Sequence, residues 1–176
     1  MFPQWVSADA LATPALSTIH VGFYDVLYVT SRIATGDSYT ILLNTLPSNQ
    51  QQYLIRGTMA CEREETYMNE LIQRSGTGTG GHSGALGKYT IILYGKHGTD
   101  ETPVKKRRQL MNLGFTRVHI YAGGLFEWAL LQEVYGAEHF PTTGTPPRDL
   151  LQYAAPPRLA SMAAADGPGG RYLTDR

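Results

Sequence analysis

Three runs of apolar, β-favouring residues punctuate the chain. They occupy residues 39–43, 89–94 and 118–121. The second run is apolar at consecutive positions, without the alternation of a half-exposed strand, and glycines bound it on both sides. A strand covered on both faces has this pattern, so residues 89–94 are predicted to form the central strand of a parallel sheet.

Helical segments are predicted between and after these runs. Residues 61–74 consist largely of helix formers, with apolar residues at i, i+4 spacing. Residues 103–113 are predicted as a second helix, with Thr102 as its N-cap and Pro103 at its first position. A third helix is predicted over residues 125–135, ended by the glycine that follows. Alternating strands and helices predict an α/β fold, a parallel sheet with helices on both faces.

Other segments are less regular. Residues 20–33 are ambiguous between strand and helix, and residues 5–6 are a candidate leading strand. The stretch 75–88 is a glycine-rich insertion. We expect one domain over 1–140, followed by an extended Pro/Gly/Ala-rich tail over 141–176. The start of that tail, FPTT and RDLLQY, is left open between packing on the domain and extending away from it.

Composition and charge narrow the functional classes. Basic and acidic side chains number 15 each, so there is no basic excess of the kind that nucleic-acid binders show. Cys61 is the only cysteine, which excludes an intrachain disulfide and a multi-cysteine zinc site and fits a reducing compartment. The sequence shows neither a signal peptide nor an apolar run of about 18 residues that could span a membrane. We therefore expect a cytoplasmic protein without cofactor or metal; a mitochondrial location stays open if the chain is processed.

The segment YTIILYGKHGTDETPVKKRRQLMNLGFTRVHIYAGGLFEW resembles the second half of a rhodanese domain. Its order is strand, loop, helix, Leu-Gly-Phe, strand, Gly-Gly and tryptophan. Upstream, ILLNTL, LIRGTM and WVSADAL resemble three further parts of that family, so the resemblance extends over about residues 5–136. The segment GGLFEWALLQEVYG with the following FPTT also resembles rhodanese-like proteins of protists and large viruses. The resemblance implies a rhodanese-like parallel sheet.

The same resemblance identifies a degenerate active-site loop. In an active rhodanese a nucleophilic cysteine directly follows the central strand, and backbone N–H groups of its loop hold a persulfide or oxyanion. The position of that cysteine corresponds to Gly95. The acidic pair Asp100 and Glu101 stands where a basic residue often supports the persulfide. The loop consists of Gly95, Lys96, His97, Gly98, Thr99 and Asp100. Because glycine has no nucleophile, we expect no covalent sulfur transfer and a protein that is not an enzyme.

An alternative is a sulfurtransferase-like or phosphatase-like enzyme, or an anion sensor, that uses residues 95–101 or Cys61. Cys61 lies at a predicted helix start, which favours a thiolate, but its glutamate neighbours oppose one. A buried or half-buried structural cysteine is the simpler interpretation. His97, with Lys96 and Asp100, is either a small anion or acid–base site or a polar turn that satisfies its own backbone.

Our functional hypothesis is a structural or binding component of a larger protein assembly, in a cytoskeletal or ciliary setting. Four consecutive basic residues, 105–108, form a cluster on a predicted helix. This basic cluster is either a solvated helix face or a contact for an acidic partner. The outer side of the helix over residues 125–135 is a further candidate, since that helix is apolar around much of its circumference. The candidate partner-binding residues are Lys105, Lys106, Arg107 and Arg108 of the cluster, and Tyr153, Leu159, Met162 and Tyr172 of the tail.

Overall fold

The structure, a computed structural model, describes residues 19–76 and 85–159. The strands are β1 (His20–Val21), β2 (Thr40–Asn44), β3 (Leu54–Ile55), β4 (Thr90–Tyr94), β5 (Arg117–Tyr121) and β6 (Thr142–Thr143). The helices are α1 (Phe23–Ala34), α2 (Cys61–Gly76), α3 (Thr102–Asn112) and α4 (Gly124–Tyr135). Within the described ranges, no helix is long and apolar enough to cross a membrane.

Four strands form one parallel sheet in the order β1-β5-β4-β2. The prediction that residues 89–94 form the central strand is confirmed, since β4 pairs with β5 on one side and β2 on the other. The other two predicted runs are also strands, displaced by a residue at one end or both. Strands β3 and β6 pair separately as a small antiparallel ribbon.

Helices cover both faces of the sheet, which confirms the α/β prediction. Strand β4 shows why the sequence requires this: Ile92 and Tyr94 pack in one apolar cluster with residues of α1 and α4. The alternate residues Ile91 and Leu93 pack in a second cluster with residues of α2 and α3. All four side chains are almost completely buried. A strand that supplies two cores cannot show the alternation of polar and apolar residues that marks a half-exposed strand.

The ambiguous segment 20–33 contains both elements, the short strand β1 and most of helix α1. The Gly22 amide donates to the Asp25 carboxylate at 3.0 Å, a bond that satisfies a backbone group at the helix start. In α1, Val26 and Val29 face the core, while most other positions are at least partly exposed. The candidate strand at residues 5–6 lies outside the described residues.

The predicted N-cap of α3 was wrong by one residue. Thr102 is the first helical residue, and Glu101 precedes it as the N-cap. The Thr102 amide donates to the carboxylate of Asp100 at 2.9 Å. Asp100 therefore accepts the hydrogen bond that caps the helix start, and Thr102 can adopt a helical conformation. The other end is as expected: the helix gives way to Gly114, whose φ of +101° suits glycine.

The first part of the expected tail packs on the domain. Phe140 is buried, and β6 pairs with β3. The Gln132 side-chain amide donates to the Phe140 carbonyl at 2.6 Å and to the Thr142 hydroxyl at 2.9 Å. Tyr153 is buried and stacks on Tyr53 with ring centroids 6.1 Å apart. Both FPTT and RDLLQY therefore contact the domain, while the division at 140/141 remains a prediction and residues 160–176 lie outside the described part of the chain.

We expect Trp128→Ala to lower the free energy of unfolding by about 3–5 kcal/mol, because it empties a large part of the α1/α4 core. The indole is fully buried, packs edge-on against Phe140 with centroids 5.1 Å apart, and donates to the Pro141 carbonyl at 3.3 Å. Urea unfolding measures the change. Val134→Ala on the same helix is the matched control, since Val134 is exposed; equal losses in both variants would contradict the assignment.

Truncation distinguishes the packed part of the tail from the rest. A chain that ends at Tyr153 should keep its melting temperature within error, because it retains Phe140, β6 and Tyr153. A chain that ends at Glu138 should melt lower by at least ~5 °C, because it loses two buried aromatic rings and a strand pairing. Differential scanning calorimetry measures both. A large loss in the longer chain would mean that residues after 153 also belong to the core.

Candidate functional site

The degenerate loop emerges from the end of β4, at the carboxyl edge of the parallel sheet, where ligands bind in many open α/β folds. Its backbone is attached to the first turn of α4. The Leu125 amide donates to the Gly95 carbonyl at 2.9 Å, and the Phe126 amide donates to the Lys96 carbonyl at 2.8 Å. Two N–H groups at the start of α4, which would otherwise be available to an anion, are therefore already engaged by the protein.

The side chain of Asp100 folds back into the loop. Its Oδ2 accepts the Lys96 amide at 3.0 Å, and its Oδ1 accepts the Thr102 amide at 2.9 Å and the Thr102 hydroxyl at 2.8 Å. The Asp100 amide in turn donates to the His97 carbonyl at 3.0 Å, which closes the turn. The backbone amides around the loop thus bind a carboxylate of the loop itself, that of Asp100.

These hydrogen bonds control the charge of Asp100. Partial burial by itself raises the pKa of this carboxyl, but the amides of Thr102 and Lys96 more than compensate, and the net pKa lies below its ordinary value. The group is therefore ionised at neutral pH. Since a depressed folded-state pKa contributes stability above the unfolded pKa, that contribution is lost as the pH falls through the folded pKa.

Gly95, at the position where the resemblance places the cysteine, has no room for a side chain while Asp100 is in place. A Cβ atom there would lie 2.8 Å from Asp100 Cγ and 3.0 Å from Pro103 Cγ. Carbon atoms normally approach to about 3.5–4.0 Å, so both contacts are repulsive. A residue with a nucleophilic side chain at position 95 would require the Asp100 carboxylate to move.

Gly124, which begins α4, is a requirement that the sequence interpretation missed. Its φ is +64°, and a Cβ atom there would lie 2.8 Å from both the Gly95 carbonyl oxygen and the His97 nitrogen. Only glycine allows the helix start to approach the loop so closely. The Gly-Gly pair was visible in the sequence, but its purpose depends on a contact between segments almost 30 residues apart.

The remaining loop residues make few contacts. His97 Nδ1 lies 3.2 Å from the Thr99 hydroxyl, and the Arg158 guanidinium donates to the Thr99 carbonyl at 3.3 Å. Lys96 and His97 are half-buried, while Gly98 and Thr99 are exposed. No group of three or more potential metal ligands occurs in residues 19–76 and 85–159.

Cys61 is exposed, so the expectation of a buried or half-buried cysteine was wrong. It occupies the first position of α2, where the chain turns from the sheet into solvent. A hydrogen bond with Glu62 is the main cause that raises the pKa of its thiol, with smaller effects of desolvation and of the Glu62 charge. The expectation that acidic neighbours oppose a thiolate is supported, because a raised pKa keeps the sulfur protonated at neutral pH.

The basic cluster of α3 divides into two pairs. Lys106 forms an ion pair with Glu64 of α2, and Arg107 Nε donates to the Val118 carbonyl at 2.8 Å, so these two side chains tie the helix to its neighbours. Lys105 and Arg108 are exposed. The candidate acidic-partner contact is therefore carried by two side chains, three residues apart on one side of the helix.

The candidate partner-binding residues of the tail differ in their exposure. Tyr153 is buried and would have to leave the core before it could contact a partner. Leu159 is highly exposed, with 83% of its surface accessible. Met162 and Tyr172 lie outside the described residues.

No family model matches the chain, and no curated relative matches it. A full-length protein from Lactobacillus plantarum is 17% identical, over 72% of this chain and 88% of that one, with a TM-score of 0.46. The rhodanese-like domain of the Alr3790 protein from Anabaena is 18% identical over 91% and 94%, with a TM-score of 0.42. Ygr203w, a yeast protein tyrosine phosphatase of the rhodanese family, is 17% identical over 76% and 97%, with a TM-score of 0.45. At these identities none of the three carries an activity over to this chain.

Proposed function

We propose that the chain is a rhodanese-like domain whose active-site loop is occupied by its own aspartate, and that it is a structural or binding component of a protein assembly rather than an enzyme. The observation that carries the proposal is the position of the Asp100 carboxylate, which accepts the loop amides of Lys96 and Thr102 and lies against Gly95.

Covalent sulfur transfer needs a thiolate and a set of N–H donors around the sulfur. Gly95 supplies no nucleophile. The amide donors of Lys96 and Thr102 are directed at Asp100, and those of the first turn of α4 are directed at loop carbonyls. An incoming thiosulfate dianion would also meet the negative charge of Asp100. The lack of a nucleophile, the engagement of the N–H donors and the negative charge of Asp100 all oppose the reaction.

The rival function, an enzyme or anion sensor that uses Cys61 or the loop, has less support. The Cys61 thiol is accessible, but Glu62 raises its pKa and so lowers the fraction of thiolate. For anion sensing by the loop, the Asp100 carboxylate would first have to leave its amide donors.

A role in assembly is supported by large apolar side chains that the fold leaves exposed. On α4, Val134 is 73% exposed, and Leu151, in the short helical turn after β6, is 70% exposed. Leu159 continues this apolar character into the last described residues. Such side chains contribute little to the stability of the isolated domain, and a partner that covered them would bury apolar surface. The cytoskeletal or ciliary setting remains a prediction from the sequence.

We expect the purified protein to produce no thiocyanate from thiosulfate and cyanide above a no-enzyme blank, and Gly95→Cys to be equally inactive because a side chain at 95 collides with Asp100. An active rhodanese is the positive control, and circular dichroism checks the fold of the variant.

Turnover by the unaltered chain that disappears in Cys61→Ser would establish the rival function. Robust turnover by Gly95→Cys would show that the loop had kept a usable set of donors.

The assembly role predicts a loss of partner binding on removal of the exposed end of the chain. Tagged full-length protein, a chain ending at Tyr153, and the full-length Leu159→Asp variant are to be compared by pull-down from native extract with quantitative mass spectrometry. We expect a stoichiometric partner of the full-length chain to be depleted at least about tenfold in the truncated chain, with Leu159→Asp intermediate. A partner that all three retain equally would place the interface elsewhere, with Lys105 and Arg108 as the next residues to substitute.

A further inference from the structure

A cavity lies at the opposite edge of the sheet from the loop of residues 95–100. It has a volume of about 520 Å³ and opens between α1 and the amino ends of β2, β4 and β5. Because the strands are parallel, the amino ends and the carboxyl ends lie on opposite edges, so the cavity shares no residue with the loop of 95–100. Its volume falls within the range of about 300–1,000 Å³ that small-molecule sites occupy.

A row of polar side chains crosses the floor of this cavity. Thr40 pairs in register with Thr90, and Thr90 pairs in register with Arg117, so the three residues form one line across three adjacent strands. The next residues along the strands, Ile41 and Ile91, point to the opposite face and are buried in the α2/α3 core. A parallel sheet covered by helices on both faces is normally apolar on both. The row therefore gives this part of the sheet a polar surface facing α1, on which the Thr40 hydroxyl already donates to Asp37 at 3.0 Å.

The acidic side chains around the cavity already have hydrogen-bond partners within the chain. Asp37 forms an ion pair with Arg32 at 2.7 Å, and it also accepts the Tyr39 amide at 2.9 Å. These donors lower the pKa of Asp37 and keep it ionised. Asp25 accepts the Gly22 amide at the start of α1. Neither carboxylate is thus available as the principal ligand of a bound cation.

Two basic side chains on the β4/β5 side of the cavity, by contrast, form no ion pair with the described residues. The Arg117 side chain is exposed, and its guanidinium forms no hydrogen bond or ion pair with the part of the chain that the structure describes. Lys88 lies with its Nζ 5.0 Å from the Tyr39 ring centroid, a contact that holds the ammonium at the rim without neutralising it. The same cavity is also lined by Ile92 and Val29, which are apolar and buried.

We propose that this cavity is a binding site for a small organic anion with an aromatic or other apolar body. The anionic group is held by the charges of Arg117 and Lys88, with the Thr90 hydroxyl as an additional donor, and the apolar body lies on Ile92 and Val29. The site is independent of the degenerate loop and of the assembly role, so either proposal can fail without the other.

The test uses two fluorescent probes of similar shape and different charge, with the full-length protein. We expect saturable, one-to-one binding of the anion 8-anilinonaphthalene-1-sulfonate, measured by fluorescence titration at low ionic strength. Arg117→Gln and Lys88→Gln should each raise its Kd about tenfold, which corresponds to about 1.4 kcal/mol, since each removes one cationic donor to the sulfonate. Neutral N-phenyl-1-naphthylamine should bind both variants as it binds the unaltered chain.

Arg108→Gln is the matched control, because Arg108 is an exposed arginine on α3 and does not line the cavity. Melting temperatures of all variants show that the fold is retained. The proposal is overturned if the anion shows no saturable binding, if Arg108→Gln weakens it as much as Arg117→Gln, or if the neutral probe loses affinity equally. In those cases the dyes are reporting general apolar surface and not an anion site.

Discussion

Strand β4 is the constraint around which the molecule is arranged. It has strands on both edges and helices on both faces, so every side chain from Ile91 to Tyr94 is buried. Its alternate side chains belong to two separate cores. Tyr94 shows how closely the strand end is specified: its hydroxyl donates to or accepts from Thr58 at 2.7 Å and accepts the Ile55 amide at 3.2 Å. The chain therefore leaves β4 from a fixed point, and the loop that follows inherits that position.

The two edges of the sheet present opposite electrostatic situations. At the carboxyl edge, backbone N–H groups converge on the carboxylate of Asp100, which belongs to the protein itself. At the amino edge, Asp37 is paired with Arg32, and Lys88 and Arg117 form no ion pair with a carboxylate of residues 19–76 and 85–159. The donors of the carboxyl edge are thus engaged by the protein itself, whereas the amino edge carries two basic side chains without such a partner in those ranges.

The sequence predicted those parts of the structure that depend on periodicity. Long apolar runs and i, i+4 spacing gave the three long strands and the three later helices, because such patterns report burial directly. The two-residue strands β1, β3 and β6 have no period of their own, since their pairing depends on distant partners. Gly95 was identified by its place after β4, but the inward direction of Asp100 depends on the turn geometry of one loop. In the same way, Lys106 and Arg107 belong to one basic cluster in sequence, and only the positions of α2 and β5 show why they are not free.

Helix α4 is fastened at both ends to segments that are distant from each other in sequence. At its start, backbone amides donate to the carbonyls of Gly95 and Lys96. Near its end, the Gln132 side chain accepts the Tyr53 hydroxyl and donates to the Phe140 carbonyl and the Thr142 hydroxyl. A helix of 12 residues is about 18 Å long and stiff over that length. Because both sets of bonds lie on one stiff helix, they fix the position of the loop after β4 relative to the ribbon of β3 and β6.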